Sequence, residues 1–384
     1  MKIIRLCIIF FCVEFCNPIF AQQKPQITGY ISDMPSVMWV DMPSASLSDW
    51  YWQNLVHNRL NLGWRLNKEW RFDASARNRL IVGSQYLVQP SEISFDKGWA
   101  DLSWNYFTSR NALLNTTIDR FFVTFERQKW KFQLGRQRIN WGQTFVWNPN
   151  DIFNTYSFFD FDYPERLGCD AFRATYYNSA TSSSELAASI NHYGKATVAL
   201  MHRWNSNNID FQAIGGVFES SDAVLGGAWT GDVKGLNIRG EFSFFQPLKN
   251  FSDTTTTVAV SVGLDYLFSN QLMLQAEVLY NNVGKSGDFM SLMNASQLSA
   301  KTLSICDWNV FAQATYPLTQ RLNGSLSSMY FVDIQACYAG FSLDYSLGEN
   351  LDLSVISQFF TTLQNNKTTD MKALLGFLRL KYSF

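Results

Sequence analysis

Beyond its N-terminal segment, this 384-residue chain has no apolar run long enough to cross a bilayer as a helix, which takes about 20 such residues. Charge is scarce too. Charged side chains make up 16% of the chain, against roughly 25% in ordinary soluble domains. The 31 Lys+Arg and 32 Asp+Glu nearly cancel, so nothing in the charge balance points to a nucleic-acid partner. Histidine is limited to His57, His192 and His202. There is no HExxH, P-loop, GxGxxG or EF-hand pattern, and no serine in a G-x-S-x-G elbow. Asp151, Asp160, Asp162 and Glu165 are oxygen donors in one segment, but they lack the fixed spacing of a calcium loop. These absences lead us to expect no catalytic residues, no metal site and no cofactor.

The first residues set the compartment. Lys2 and Arg5 precede an apolar run from Leu6 to Val13, and Ala21 is a small residue at a suitable cleavage point. This is the pattern of a secretory signal peptide, so residues 1–21 are read as the signal and 22–384 as one domain. Cys7, Cys12 and Cys16 fall within the signal, and the residues before Cys16 make a poor lipobox. Cys169, Cys306 and Cys337 remain. One pair could bridge, but three scattered cysteines exclude a disulfide framework.

What the chain does have is aromatic residues, at 16%, and alternation. In GLNIRGEFSF (235–244), Leu236, Ile238, Phe242 and Phe244 share one parity while Asn237, Arg239, Glu241 and Ser243 share the other. The same holds for VAVSVGLDYLF, WNVFAQATY and LDLSVISQF. Strict period two means strands with one apolar and one polar face. About eighteen such runs can be counted, most near the 9–11 residues a tilted strand needs to cross a membrane: 27–38, 50–66, 69–82, 115–127, 130–140, 170–178, 185–192, 196–204, 209–219, 223–232, 236–246, 257–268, 271–282, 306–316, 322–332, 336–346, 351–362 and 372–384. About sixteen is the alternative, because the opening run contains Pro35 and could be a plug or an arm.

Tight turns alternate with the long segments 83–114, 141–169, 247–256, 283–305 and 363–370. Short turns at one end and long loops at the other are the pattern of an all-β transmembrane antiparallel barrel, with periplasmic turns and extracellular loops. A soluble sandwich would pack its apolar faces together, whereas here tryptophans gather near strand ends, as in an interfacial girdle. The chain ends LLGFLRLKYSF. Phe384 and Tyr382, with alternate apolar residues behind them, resemble the C-terminal signal read by the outer-membrane assembly machinery. The expected location is therefore the outer membrane, surrounded by its lipid. The apolar outer face is also compatible with a homo-oligomer.

Alternation also predicts an inner wall rich in arginine. Arg59, Arg71, Arg77, Arg120 and Arg173 fall on inward parities of the N-terminal strands, while later strands contribute Asp265, Glu277 and Asp344. Arginine ladders facing acids across a pore favour anions. Arg136 and Arg138 are the anomaly, because they share parity with Trp130, Phe132 and Leu134, which should face lipid. A β-bulge at Gly135 would flip the faces and turn both arginines into the lumen. The segment 141–169 that follows is long, aromatic and acidic, and is expected to fold inward as a constriction carrying Asp151, Asp160 and Asp162.

GRQRINWG…WNPNDIF (135–142 and 147–153) resembles a Gly-Arg-Gln…Trp-Gly…Asn-Pro segment of porin-like barrels of Gram-negative bacteria. More loosely, it is similar to the Gly-Arg-Gln strand of eighteen-stranded alginate-export-type barrels. The likeness covers about 20 residues. It implies that Arg136, Gln137 and Arg138 lie on a wall strand and that Trp141 to Asn154 border a pore. The dense arginine lining of a polyanion exporter is only partly present. The expected function is porin-like passive diffusion of small hydrophilic solutes, with anions favoured. The alternatives are an export barrel for a polymer or lipid that works with periplasmic partners, and a non-conducting structural or surface barrel.

Overall fold

The computed structural model describes residues 24–43, 46–84, 93, 95–159, 163, 165–249, 251–252, 256–282, 298–363 and 371–384. The proposed signal peptide lies outside the described residues, as do Asp160 and Asp162. The strands are β1 (Gln26–Met42), β2 (Leu47–Arg65), β3 (Trp70–Gly83), β4 (Ser103–Thr108), β5 (Ala112–Arg127), β6 (Trp130–Gln137), β7 (Cys169–Ser179), β8 (Ser182–Ile190), β9 (Ala196–Ser206), β10 (Ile209–Phe218), β11 (Asp222–Val233), β12 (Leu236–Pro247), β13 (Thr257–Leu267), β14 (Met273–Asn281), β15 (Trp308–Thr319), β16 (Leu322–Phe331), β17 (Ala336–Ser346), β18 (Leu351–Thr362) and β19 (Lys372–Ser383). All except the short β4 form a closed, eighteen-stranded antiparallel wall.

Each of the eighteen runs expected from alternation is a wall strand, and the opening run is neither plug nor arm. β1 pairs with β2 along its length and with β19 from Tyr30↔Ser383 to Asp41↔Lys372. Gly29 and Phe384 exchange two backbone hydrogen bonds of 2.9 Å at the seam. Pro35 is tolerated because the β1–β19 ladder lapses at Met34–Pro35 and resumes at Ser36, while the β1–β2 ladder continues. A proline lacks the N–H for a second ladder.

Closure leaves no sheet edge, the condition for a β-structure in lipid. The outward parity carries exposed Leu134, Leu200, Leu225, Leu264, Phe341 and Leu380. In water, so large a continuous apolar belt would drive aggregation; in a membrane it is the lipid-facing surface. The inward parity is buried instead. Met38, Leu279, Phe311, Phe331, Tyr338 and Phe360 form a hydrophobic core inside the barrel, in the half nearer the long loops. The sequence reading, which assigned polar residues to this inner wall, did not anticipate that core.

One irregularity positions the site. β6 is the shortest wall strand, with 8 residues, and pairs with β5 only from Phe121 to Arg127. β3 occupies the other edge of β5 from Trp70↔Phe125 to Val82↔Ala112. The upper β5 edge is therefore vacant until β4 takes it, with Ser103↔Thr117 and Thr108↔Leu113. The segment leading into β4 continues across the gap, with His192 N–H donating to the Lys97 carbonyl at 3.0 Å. The wall is thus patched where β6 leaves it, and the chain is free to turn inward after Gln137.

Candidate functional site

Residues 138–159, 163 and 165–168, the described part of the segment between β6 and β7, lie inside the barrel against its inner wall. Trp141 donates its indole N–H to Glu185 of β8 at 2.7 Å, and Gln212 of β10 donates to the Trp141 carbonyl at 2.9 Å. The next turn surrounds Glu241 of β12, which accepts the backbone N–H groups of Gln143, Thr144 and Asn150 and the Thr144 hydroxyl. Glu277 of β14 accepts the N–H groups of Phe145, Val146 and Trp147 at 2.8–3.0 Å, together with the Ser261 hydroxyl. The loop next doubles back, and the Asn150 side chain reaches Gly227 of β11 at 2.9 Å. Phe158 and Phe159 then pack on Phe311, Tyr338 and Phe360 of β15, β17 and β18.

The far end is fastened by cations. The Tyr163 hydroxyl accepts from Arg59 of β2 at 2.5 Å, and the Arg77 guanidinium of β3 lies 3.9 Å from the Tyr163 ring centroid. Tyr30 of β1 donates to Glu165 at 3.1 Å. Arg120 of β5 donates to the carbonyls of Glu165 and Arg166 at 2.6 and 2.7 Å before the chain re-enters the wall at β7. The described residues of the segment expected to fold inward thus lie against the inner wall, while Asp160 and Asp162 lie outside the described residues.

The proposed bulge is corrected. The ladders run without a break through Gly135, opposite Phe122 on one side and Ala171 on the other. Gly135 instead takes φ +120°, where an added Cβ would lie 2.2 Å from the Phe121 carbonyl oxygen. Only glycine fits there. The extra residue is on β5, where Ser75↔Arg120 is followed by Ala76↔Ile118 and Asp119 is skipped. That bulge places Asp119, 1% exposed, against Arg59, and lets Arg120 reach the loop carbonyls.

Arg136 does not turn into the lumen, and that expectation is corrected too. It keeps the outward parity but is 3% exposed, because the segment before β4 covers it. Its guanidinium donates to Asp170 at 2.8 and 2.9 Å, Asp96 at 2.5 Å, and the carbonyls of Ala100 and Ile118. An unpaired arginine facing lipid near the midplane would cost about 2–4 kcal/mol. Here two aspartates and a patch of wall remove it from lipid altogether.

The other expected pore residues are dispersed. Arg59 and Arg77 are 3% and 6% exposed and engaged with the loop. Arg173 pairs with Glu185 at 2.6 Å. Arg71 pairs with Asp73 at 2.6 Å nearer the short turns and is half exposed. Across the barrel, Asp265 pairs with Arg239, and Asp344 lies 3.6 Å from Arg379. Sequence parity missed Arg166, a loop residue with φ +58° whose guanidinium stacks on the Tyr156 ring.

Asp151 is 1% exposed, and neither carboxyl oxygen has a hydrogen-bond partner. Burial pushes its pKa up to about 8, against the pull of Arg138 and Arg166 and with a contribution from Glu241. An unfolded Asp ionises near 4. The folded state therefore holds the extra proton between pH ~4 and ~8, and stability falls as pH rises through that window. Asp151→Asn is expected to raise the urea midpoint of the detergent-solubilised barrel at pH 9 relative to wild type, with little gain at pH 4. A uniform shift at both pH values would contradict burial of the ionisable carboxyl.

No protein-family model matches the chain, and no curated protein sequence does. Solved structures do match. The outer membrane protein OpdK of Pseudomonas aeruginosa is 8% identical over 94% of this chain and 99% of that chain, with a TM-score of 0.58. OpdL of the same organism is 9% identical over 94% and 99%, also with a TM-score of 0.58. OccAB1 of Acinetobacter baumannii is 9% identical over 93% and 97%, with a TM-score of 0.56. At such identities the shared property is the fold, an outer-membrane β-barrel.

Proposed function

We propose that the protein is a porin-like channel for passive diffusion of small hydrophilic solutes, with anions favoured. The loop carries this reading: it is fixed around the inner wall of a closed eighteen-stranded barrel, and it keeps a water-facing edge at exposed Asn140 and Phe145. A structural barrel has no use for a constriction pinned by carboxylates on one side and guanidiniums on the other. A structural neighbour, OpdK, has been crystallised with vanillate, a small carboxylate, at 9% identity and a TM-score of 0.58. This supports passage of a small solute. Exposed Tyr382 and Phe384, on the outward parity of the last strand, would serve recognition by the assembly machinery.

Planar-bilayer recording of the purified barrel tests the reading. Steady open channels with a reversal potential on the anion side are expected in a salt gradient. Complete absence of conductance would remove the channel and favour the non-conducting barrel, for which the dense apolar core in the long-loop half is the specific support.

A further inference from the structure

Three of the wall arginines have carboxylate partners. Arg59 pairs with Asp119, Arg136 with Asp96 and Asp170, and Arg173 with Glu185. Two loop guanidiniums differ. Among the described residues, neither Arg138 nor Arg166 has a carboxylate within ion-pair distance; the Arg138 Nε is also buried without a hydrogen-bond partner, as is the Nε of the paired Arg173. A buried donor left unmet in a native fold calls for an explanation. Arg166 is held in place by its left-handed backbone and by Tyr156, whose hydroxyl donates to the Phe145 carbonyl at 2.7 Å. A non-glycine residue in that conformation persists only where its surroundings impose it, and such residues cluster at functional sites.

Resting on the channel reading above, we propose that Arg138 and Arg166 set the charge preference of the passage and that Asp151 is their titratable counter-charge. The selecting cations are then on the loop and not on the arginine-rich wall. Asp151 faces Arg138, Arg166 and Tyr156 from the loop, Cys169 from β7 and Glu241 from β12, with the Trp141 backbone N–H beside it. Burial holds its carboxyl towards the neutral form near pH 7, so it offsets little of the charge on the two guanidiniums there. They also repel each other: after burial and the attraction of Tyr156, Arg138 is the next influence on Arg166 and helps lower its pKa. Above pH ~8 the carboxylate forms and offsets one of the two positive charges.

The test is the reversal potential of the full-length barrel in a KCl gradient, measured from pH 6 to pH 9. Wild type is expected to prefer chloride several-fold at pH 6 and to lose most of that preference by pH 9. Asp151→Asn should keep the preference at pH 9. Arg166→Gln should bring the permeability ratio close to unity throughout, and Arg166→Lys should restore it. Heat-modifiable migration identifies folded material, and Arg138→Gln serves as the second variant if Arg166→Gln does not fold. Channels with unchanged reversal potential in both glutamine variants would overturn the inference while leaving the channel intact, as would an Asp151→Asn barrel that titrates like wild type. Absence of any conductance removes the channel reading and this inference with it.

Discussion

Removing both wall carboxylates that hold the loop, in Glu241→Ala with Glu277→Ala, is expected to raise single-channel conductance several-fold without unfolding the barrel. The two side chains are 0% and 2% exposed and together accept six backbone N–H groups of residues 143–150. Successive backbone N–H groups converging on one carboxylate form an anion nest. Hydrogen bonds to a charged acceptor contribute about 1.5–3 kcal/mol each. Losing both acceptors also leaves six donors unpaired, four of them buried, so the loop turn should leave its place. The wall should survive, because the β11–β15 ladders do not depend on these side chains. Limited trypsin digestion in detergent gives a second readout: wild type should resist cleavage after Arg138 and Arg166, and the double variant should be cut there. Unchanged conductance together with an unchanged digestion pattern would show that the nests do not hold the loop.

The contrast between wall and loop also separates what could be read from the sequence. Wall strands answer to one rule, apolar outward against lipid, and period-two alternation reports it directly. Leu236, Ile238, Phe242 and Phe244 were assignable without any structure. The inner face obeys no such rule, because it meets water near the short turns and a protein core near the long loops. Met38, Leu279 and Phe360 therefore sit on inward parities where polar residues were expected. β4 was invisible for a related reason. It is 6 residues long, and a register shift between Asn105 and Phe107 breaks its alternation.

The anomaly at Arg136 and Arg138 was legible as a charge that could not face lipid, but its resolution was not. A bulge was the local remedy. The structure uses a long-range one, importing Asp96 and the 96–104 backbone from a segment that sequence alone left as loop. By parity Glu277 read as a pore acid and Glu241 as part of the polar face of its strand. Their actual role depends on loop residues 98 and 132 positions earlier in the chain. No periodic pattern encodes a backbone nest assembled over that separation.

Arg136→Ala should have the largest effect on stability of any single substitution in the arginine-rich half, about 3–5 kcal/mol, the range for removing one partner of a buried ion pair. Two aspartates depend on that guanidinium. Asp170 faces it directly in the β6–β7 ladder, and Asp96 also accepts the backbone N–H groups of Gly98 and Leu102 at 2.8 Å. Without Arg136 the two carboxylates stay buried beside each other at the gap that β6 leaves in the wall, and the patch formed by the 96–104 segment loses its anchor. Gly98 itself reflects the tightness of the fit, since a Cβ there would lie 2.0 Å from the Arg136 Nη2. The measurement is urea unfolding of the refolded barrel, followed by tryptophan fluorescence and heat-modifiable migration. Arg136→Lys should recover only part of the loss, because one ammonium cannot reproduce a fork shared between Asp96 and Asp170. Adding Asp170→Asn to Arg136→Ala should recover stability, since it removes one of the stranded charges. If Arg136→Ala unfolded within about 1 kcal/mol of wild type, the ordinary range for exposed ion pairs, Arg136 would have to lie in water, and its original assignment to the lumen would return.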